Sequence, residues 1–143
     1  MRIADVLRSK GSDVATVRPE ATVRDLLTGL AEANIGAMVV VGSAGVIAGM
    51  VSERDVVRRL YEQGPSILEL PVAKIMTPAV ATCGLDSSVD ELSEMMTTNR
   101  VRHIPVLVDG RLAGIVSIGD VVKSRLEELQ SEHELLQAYI TQG

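Results

Sequence analysis

Gly49-Met50-Val51-Ser52-Glu53-Arg54-Asp55 and Gly114-Ile115-Val116-Ser117-Ile118-Gly119-Asp120 are one seven-residue phrase written twice, 65 residues apart. Each copy runs glycine, two apolar residues, serine, two variable residues, aspartate. That is a strand feeding a helix, with the serine at the cap and the aspartate three residues on. The likeness continues on both sides. Ala48 precedes the first phrase as Ala113 precedes the second, and Asp55-Val56-Val57 matches Asp120-Val121-Val122. Earlier in the chain, Val14-Ala15-Thr16 matches Val80-Ala81-Thr82, and Val23, Leu26 and Leu30 match Val89, Leu92 and Met96, now at an offset of 66. One extra residue in Gly42-Ser43-Ala44-Gly45, against Val108-Asp109-Gly110, accounts for the change of offset. Self-similarity at a fixed period is the strongest organisational signal in this chain.

Each copy reads strand, helix, strand, strand, helix. Val23, Leu26, Leu27, Leu30 and Ala31 lie on one helical face. Thr22 with Asp25 starts that helix, and Ser88 with Glu91 starts its counterpart. Ile104–Val108 and Leu112–Ser117 flank Asp109-Gly110, a two-residue hairpin signal. A second helix follows each hairpin, from about Arg54 and about Gly119. The expected layout is a first repeat over 1–62, a linker over 63–71 carrying Gly64, Pro65 and Pro71, a second repeat over 72–126 and a C-terminal helical extension over 127–143. A unit of roughly 60 residues buries too little surface to be stable alone. The expected fold is therefore α/β (α+β), two repeats packed sheet against sheet about a pseudo-two-fold axis, with two related clefts between them.

Composition narrows the function. The 143 residues suit one module, and a net charge of −5 with no Phe, no Trp and two Tyr argues against a nucleic-acid partner. The core must be aliphatic. Met1–Asp5 does not read as a secretory signal, and the longest apolar run, around 35–50, is broken by four glycines, so no membrane span is expected. Cys83 is the only cysteine, which excludes an internal disulfide and fits a cytoplasmic protein.

No phosphate-binding lysine loop or dinucleotide glycine fingerprint is present, and His103, His133 and Cys83 are too scattered for metal-ligand spacing. Nothing reads as an active site, so the chain is expected to be no enzyme and to need no cofactor. The repeated Ser-x-x-Asp admits two readings. Ser52 with Asp55, and Ser117 with Asp120, can each close a capping box. Alternatively, each aspartate can accept two hydrogen bonds from a ribose diol while helix-start amides and Arg54 face phosphate.

The duplicated unit, its Gly-apolar-apolar-Ser-x-x-Asp endings, Val101-Arg102-His103-Ile104-Pro105-Val106 before the second hairpin and Lys74-Ile75-Met76-Thr77 at the start of copy two together resemble a CBS-domain pair, or Bateman module. The resemblance runs from about Ile3 to Leu126. It implies clefts that bind AMP, ADP or ATP, or in some members NAD-like dinucleotides or S-adenosylmethionine. It implies ribose contacts from Asp55 and Asp120 beside Ser52 and Ser117, a base pocket near Thr16 and Thr82, and phosphate contacts from Arg102 and His103 before Pro105. The copies differ here. Where copy two has Arg102-His103-Ile104-Pro105, copy one has Gly36-Ala37-Met38-Val39; where copy one has Arg54 and Arg58, copy two has Gly119 and Lys123. The two clefts are expected to be unequal. Arg59 is read as part of a solvated face, and Cys83 as a small core residue.

The last helix outlasts its counterpart. Val122, Leu126, Leu129, His133, Leu136 and Ile140 alternate by four and three, the seam of a helix pair, between flanks that carry Glu127, Glu128, Glu132 and Glu134. The expectation is a homodimeric regulatory module that senses an adenine nucleotide and signals to an unknown effector protein. The alternative is a ligand-free structural module acting through homodimerisation.

Overall fold

The computed structural model describes residues 1–78 and 81–142. Val80, one of the residues matched between copies, lies outside the described residues, as does Gly143 at the end of the expected extension.

Among the described residues, helix α1 (Ile3–Lys10) opens the chain, followed by β1 (Thr16–Val17), α2 (Val23–Ala33), β2 (Ala37–Val41), β3 (Ile47–Ser52) and α3 (Glu53–Gln63). The second repeat holds α4 (Val89–Asn99), β4 (His103–Val108), β5 (Arg111–Ser117) and α5 (Ile118–Gln142). The local signals act as expected. The Thr22 hydroxyl accepts from the Asp25 N–H at 3.1 Å, and the Ser88 hydroxyl accepts from the Glu91 N–H at 3.1 Å. Asp109 and Gly110 both take positive φ, 52° and 76°, which suits the twist of a two-residue hairpin. The same register shift follows Val40 in the first hairpin and Val106 in the second.

In copy one, β1 runs parallel to β2 and β3 antiparallel to it, in the order β1-β2-β3. In copy two the counterpart of β1 shrinks to a single bridge, Cys83 to Val106. Pro105 is the reason. Its counterpart Val39 donates its N–H to the Ala15 carbonyl at 3.4 Å, whereas proline has no N–H to offer the Ala81 carbonyl. Among the described residues of this segment, only Cys83 is laced to β4, its N–H donating to the Pro105 carbonyl (3.0 Å) and its carbonyl accepting from the Leu107 N–H (2.8 Å).

The largest difference from the expected layout is an exchange at the start of each repeat. Helix α1 is absent from the strand-helix-strand-strand-helix reading, and it packs in the core of the second repeat. Ile3, Val6 and Leu7 are buried there with Val89, Leu92, Met96, Ile104, Val106, Val116 and Val121. The Ile3 N–H donates to the Ser87 carbonyl at 2.8 Å. Reciprocally, Val72 and Ile75 are buried in the first core with Val23, Leu26, Leu30, Val40 and Val51, with Met76 packed beside them. The stretch 63–71, expected to be a linker, is folded and packed: Pro65–Glu69 is a 3-10 turn whose Ile67 is fully buried in that same first core. Each repeat is thus completed by residues that precede the other in sequence, so the two are locked together rather than merely docked.

Candidate functional site

The helix starts after β3 and β5 both carry the capping box. The Asp55 Oδ2 accepts from the Ser52 N–H (2.8 Å) and the Ser52 hydroxyl (3.1 Å), while the Asp55 N–H reaches the Ser52 Oγ at 3.4 Å. In copy two the Asp120 Oδ2 accepts from the Ser117 N–H at 2.8 Å and the Asp120 N–H donates to the Ser117 Oγ at 3.2 Å. A carboxylate has about four acceptor positions, so capping does not exhaust either aspartate.

Two clefts lie between the repeats. The first, about 220 Å³, joins Ser52, Asp55, Met50 and Ala37 of copy one to Thr77, Ala81, Arg102 and His103. The second, about 360 Å³, joins Ser117 and Ile115 of copy two to Lys10, Ala15, Gly36 and Ala37. Each cleft takes its serine from one repeat and its pre-strand segment from the other, and Ala37 and His103 line both. That reciprocity is the signature of a pseudo-two-fold axis.

The clefts are unequal, but not along the division expected. Arg102 and His103 reach the cleft of Asp55, so the distinctive polar residues of copy two serve the site that holds the Ser-x-x-Asp of copy one. Arg54 is exposed and does not line it. Ser52 and Asp55, three residues apart, share a helical face, and Arg54 lies off that face. Thr16 and Thr82 are also exposed and line neither cleft. Alternation along the strand is the cause. Ala15 and Val17, and likewise Ala81 and Cys83, pack against the two cores, which turns the threonines between them to the opposite face. The neighbours Ala15 and Ala81 are the residues that reach the clefts. Pro105 is buried in β4 and lines neither cleft; its effect is on the backbone, where it leaves the Ala81 carbonyl without a ladder donor.

Electrostatics divide the roles further. Burial pushes His103 below its ordinary value, the Lys10 charge adds to this, Asp120 offsets part of it, and Arg102 lowers it again. Burial thus favours the neutral imidazole at His103, while Arg102 brings a guanidinium to the first cleft. Burial alone would raise the Asp120 carboxyl, but the hydrogen bond from Lys10, the bonds from Ser117 and the Lys10 charge together hold it below the usual carboxylate value. Burial, with a contribution from Glu91, pushes the Cys83 thiol up to about 11. Cys83 should accordingly alkylate about 100-fold more slowly than an unperturbed cysteine near pH 7.5, measured against iodoacetamide, because only the thiolate reacts. Lys10 is the polar group that sequence reasoning missed. The Ile3, Val6, Leu7 spacing was the available signal for the helix that places it.

The long helix α5 projects past the second repeat rather than folding back over it. Val122, Leu126, Leu129, Leu136 and Ile140 are all more than half exposed. No helix among the described residues is long and apolar enough to cross a membrane.

Comparison with known proteins agrees with this geometry. The CBS domain family matches residues 3–62 and 72–127. The CBS domain-containing protein CBSX3, mitochondrial, of Arabidopsis thaliana is 38% identical over 99% of this chain and 72% of its own length. The solved structure of the CBS-domain containing protein ATU1752 from Agrobacterium tumefaciens is similar with a TM-score of 0.82 at 44% identity, covering 87% of this chain and 99% of that one. The CBS domain protein PAE2072 from Pyrobaculum aerophilum, solved in complex with AMP, is similar with a TM-score of 0.75 at 26% identity over 84% of this chain and 89% of its own. With two matched repeats, completed by exchanged segments and paired across two clefts, the chain belongs to the CBS-domain family as a tandem CBS pair.

Proposed function

We propose that this chain is a regulatory module that binds an adenine mononucleotide (AMP, ADP or ATP) in the Ser52–Asp55 cleft and signals its occupancy to a partner protein. One observation carries this reading: the cleft brings together a carboxylate with acceptor capacity to spare, a neutral imidazole and an arginine, contributed by both repeats. Asp55 accepts from the ribose diol, the helix-start face beside Ser52 and Arg102 meets the phosphate, and Met50, Ala81 and Val101 supply apolar walls for the base. At about 220 Å³ the cleft lies below the usual span of ligand pockets, roughly 300–1,000 Å³, and suits a mononucleotide better than a dinucleotide. A related CBS pair is solved with AMP, which supports the same ligand class here. The role is regulatory rather than catalytic, and a chain with a lone cysteine has no internal disulfide to need an oxidising compartment, which fits the cytoplasm.

Calorimetry and thermal shift against AMP, ADP, ATP, NAD and S-adenosylmethionine test it. A ligand at 100 times its Kd adds about 2.7 kcal/mol, several degrees in midpoint. No shift with any of them at millimolar concentration removes the nucleotide reading.

The exposed α5 seam favours a second component, homodimerisation, and that contact would serve a ligand-free structural module as well. Two seams of Val122, Leu126, Leu129, Leu136 and Ile140 bury one another where a single chain leaves them in water. Truncation after Leu126 should convert the dimer to a monomer in light scattering while leaving AMP affinity within about twofold, because no cleft residue lies beyond that point. An unchanged dimer mass excludes the seam.

A further inference from the structure

The two Ser-x-x-Asp motifs meet different surroundings, and one lysine makes the difference. Lys10, at the last turn of α1, donates from its Nζ to the Asp120 Oδ2 at 2.6 Å and to the Ile115 carbonyl at 2.9 Å. The pair is largely sheltered, with side-chain exposures of 30% and 19%. In the first cleft Ser52 and Asp55 line a single cavity. In the second, Ser117 lines the inter-repeat cleft while Asp120 lines a neighbouring cavity with Met1, Asp5 and Lys123. Lys10 lines both cavities and stands between the two halves of the motif.

The position of Lys10 follows from a length difference. Ile3, Val6 and Leu7 occupy in the second core the places that Val72, Ile75 and Met76 occupy in the first, an offset of 69, whereas Ala15 and Ala81 are offset by 66. The connection before the first repeat is three residues longer, and Lys10 lies in it. On the opposite side, the backbone of Thr77 pairs directly with Met50, the counterpart of Ile115. There the chain itself fills the edge of the sheet; on the Asp120 side a lysine head group does so.

We propose that Lys10 is an internal occupant of the Asp120 site, a built-in cation that blocks the second cleft to a ribose diol and sets the stoichiometry at one nucleotide per chain. This rests on the nucleotide reading of the Asp55 cleft. A diol reaching Asp120 would have to displace an ammonium group held by a carboxylate and a carbonyl. The hydrogen bonds that would replace it come from neutral hydroxyls, and they are weaker than the ammonium–carboxylate pair they displace. The first cleft presents no such competitor among the described residues that line it.

Calorimetric titration of the full chain with AMP tests this through the number of sites. The wild type should bind one AMP, and Lys10→Ala should bind two. The added site should disappear in Lys10→Ala/Asp120→Ala and persist in Lys10→Ala/Asp55→Ala. Lys10→Ser serves as a second opening variant should the alanine variant fail to fold, as judged by circular dichroism. A Lys10→Ala protein that still binds one AMP overturns the proposal. So does a wild type that binds two and loses one on substitution, since Lys10 would then be a phosphate contact. If neither protein binds AMP at all, the nucleotide reading itself fails and takes this proposal with it.

Discussion

Asp55→Ala should reduce AMP affinity on the order of 100-fold, while Asp120→Ala should leave it within about twofold. The asymmetry follows from what each carboxylate already holds. Asp55 spends its Oδ2 on the Ser52 N–H and hydroxyl and faces a cleft shared with Arg102 and His103. Its loss removes two hydrogen bonds to a charged acceptor, about 3 kcal/mol in all once compensation by water is allowed for. Asp120 is engaged by Lys10 and lies outside the inter-repeat cleft. Stability should separate the two variants differently. Both lose a capping box, about 1 kcal/mol each. Asp120→Ala also strands a sheltered ammonium, so its melting point should fall further than that of Asp55→Ala. Because Asp120 is held below its ordinary value in the folded chain, its contribution is present above about pH 4 and is lost as the pH falls below that. The difference between wild type and Asp120→Ala should therefore narrow in acid melts. Equal affinity losses in the two variants would show that both sites bind.

The division between what could and could not be read in advance has a physical cause. Caps, hairpin turns and amphipathic faces are written in residues close in sequence, and so Thr22, Ser52, Ser88, Ser117 and Asp109-Gly110 act as their local chemistry demands. Which core a helix joins is decided by partners far along the chain. The apolar face of Ile3, Val6 and Leu7 says that α1 must be buried, and nothing local says that Leu92 and Val116 will bury it. Side-chain direction fell between these cases. The resemblance pointed to Thr16 and Thr82, yet the period-two alternation that turns them outward is a property of the strand and was available from the alanines and the following apolar residues beside them. Arg54 lies outside the cleft for the helical equivalent of that reason. The role of Lys10 needed the exchange itself, because its partner Asp120 is 110 residues away.

Gly49→Ala should destabilise the chain by about 3 kcal/mol and lower its melting point by roughly 10 °C, whereas Gly114→Ala should cost about half as much. Both glycines open the repeated seven-residue phrase, and the exchange explains why each is needed. A Cβ on Gly49 would lie 2.6 Å from the Thr77 carbonyl oxygen and 3.2 Å from the Met76 sulfur. The first of these is backbone and cannot rotate away. Relief requires the Thr77 backbone to lift off β3, which breaks the Met50 N–H bond to the Thr77 carbonyl (2.7 Å) and the Thr77 N–H bond to the Met50 carbonyl (2.8 Å). A Cβ on Gly114 would instead meet the Leu7 methyl carbons at 2.8 and 3.0 Å, the far end of a side chain that can change rotamer. Differential scanning calorimetry of the two variants separates the cases. Thr77 also walls the nucleotide cleft beside Ser52 and Asp55, so Gly49→Ala should weaken AMP binding as well, without touching a residue that meets the ligand. Equal melting points for the two variants would mean that Thr77 is not held against β3. The joining of the repeats would then have to be carried by the buried side chains of the exchanged segments, Ile3, Val6 and Leu7 on one side and Val72 and Ile75 on the other.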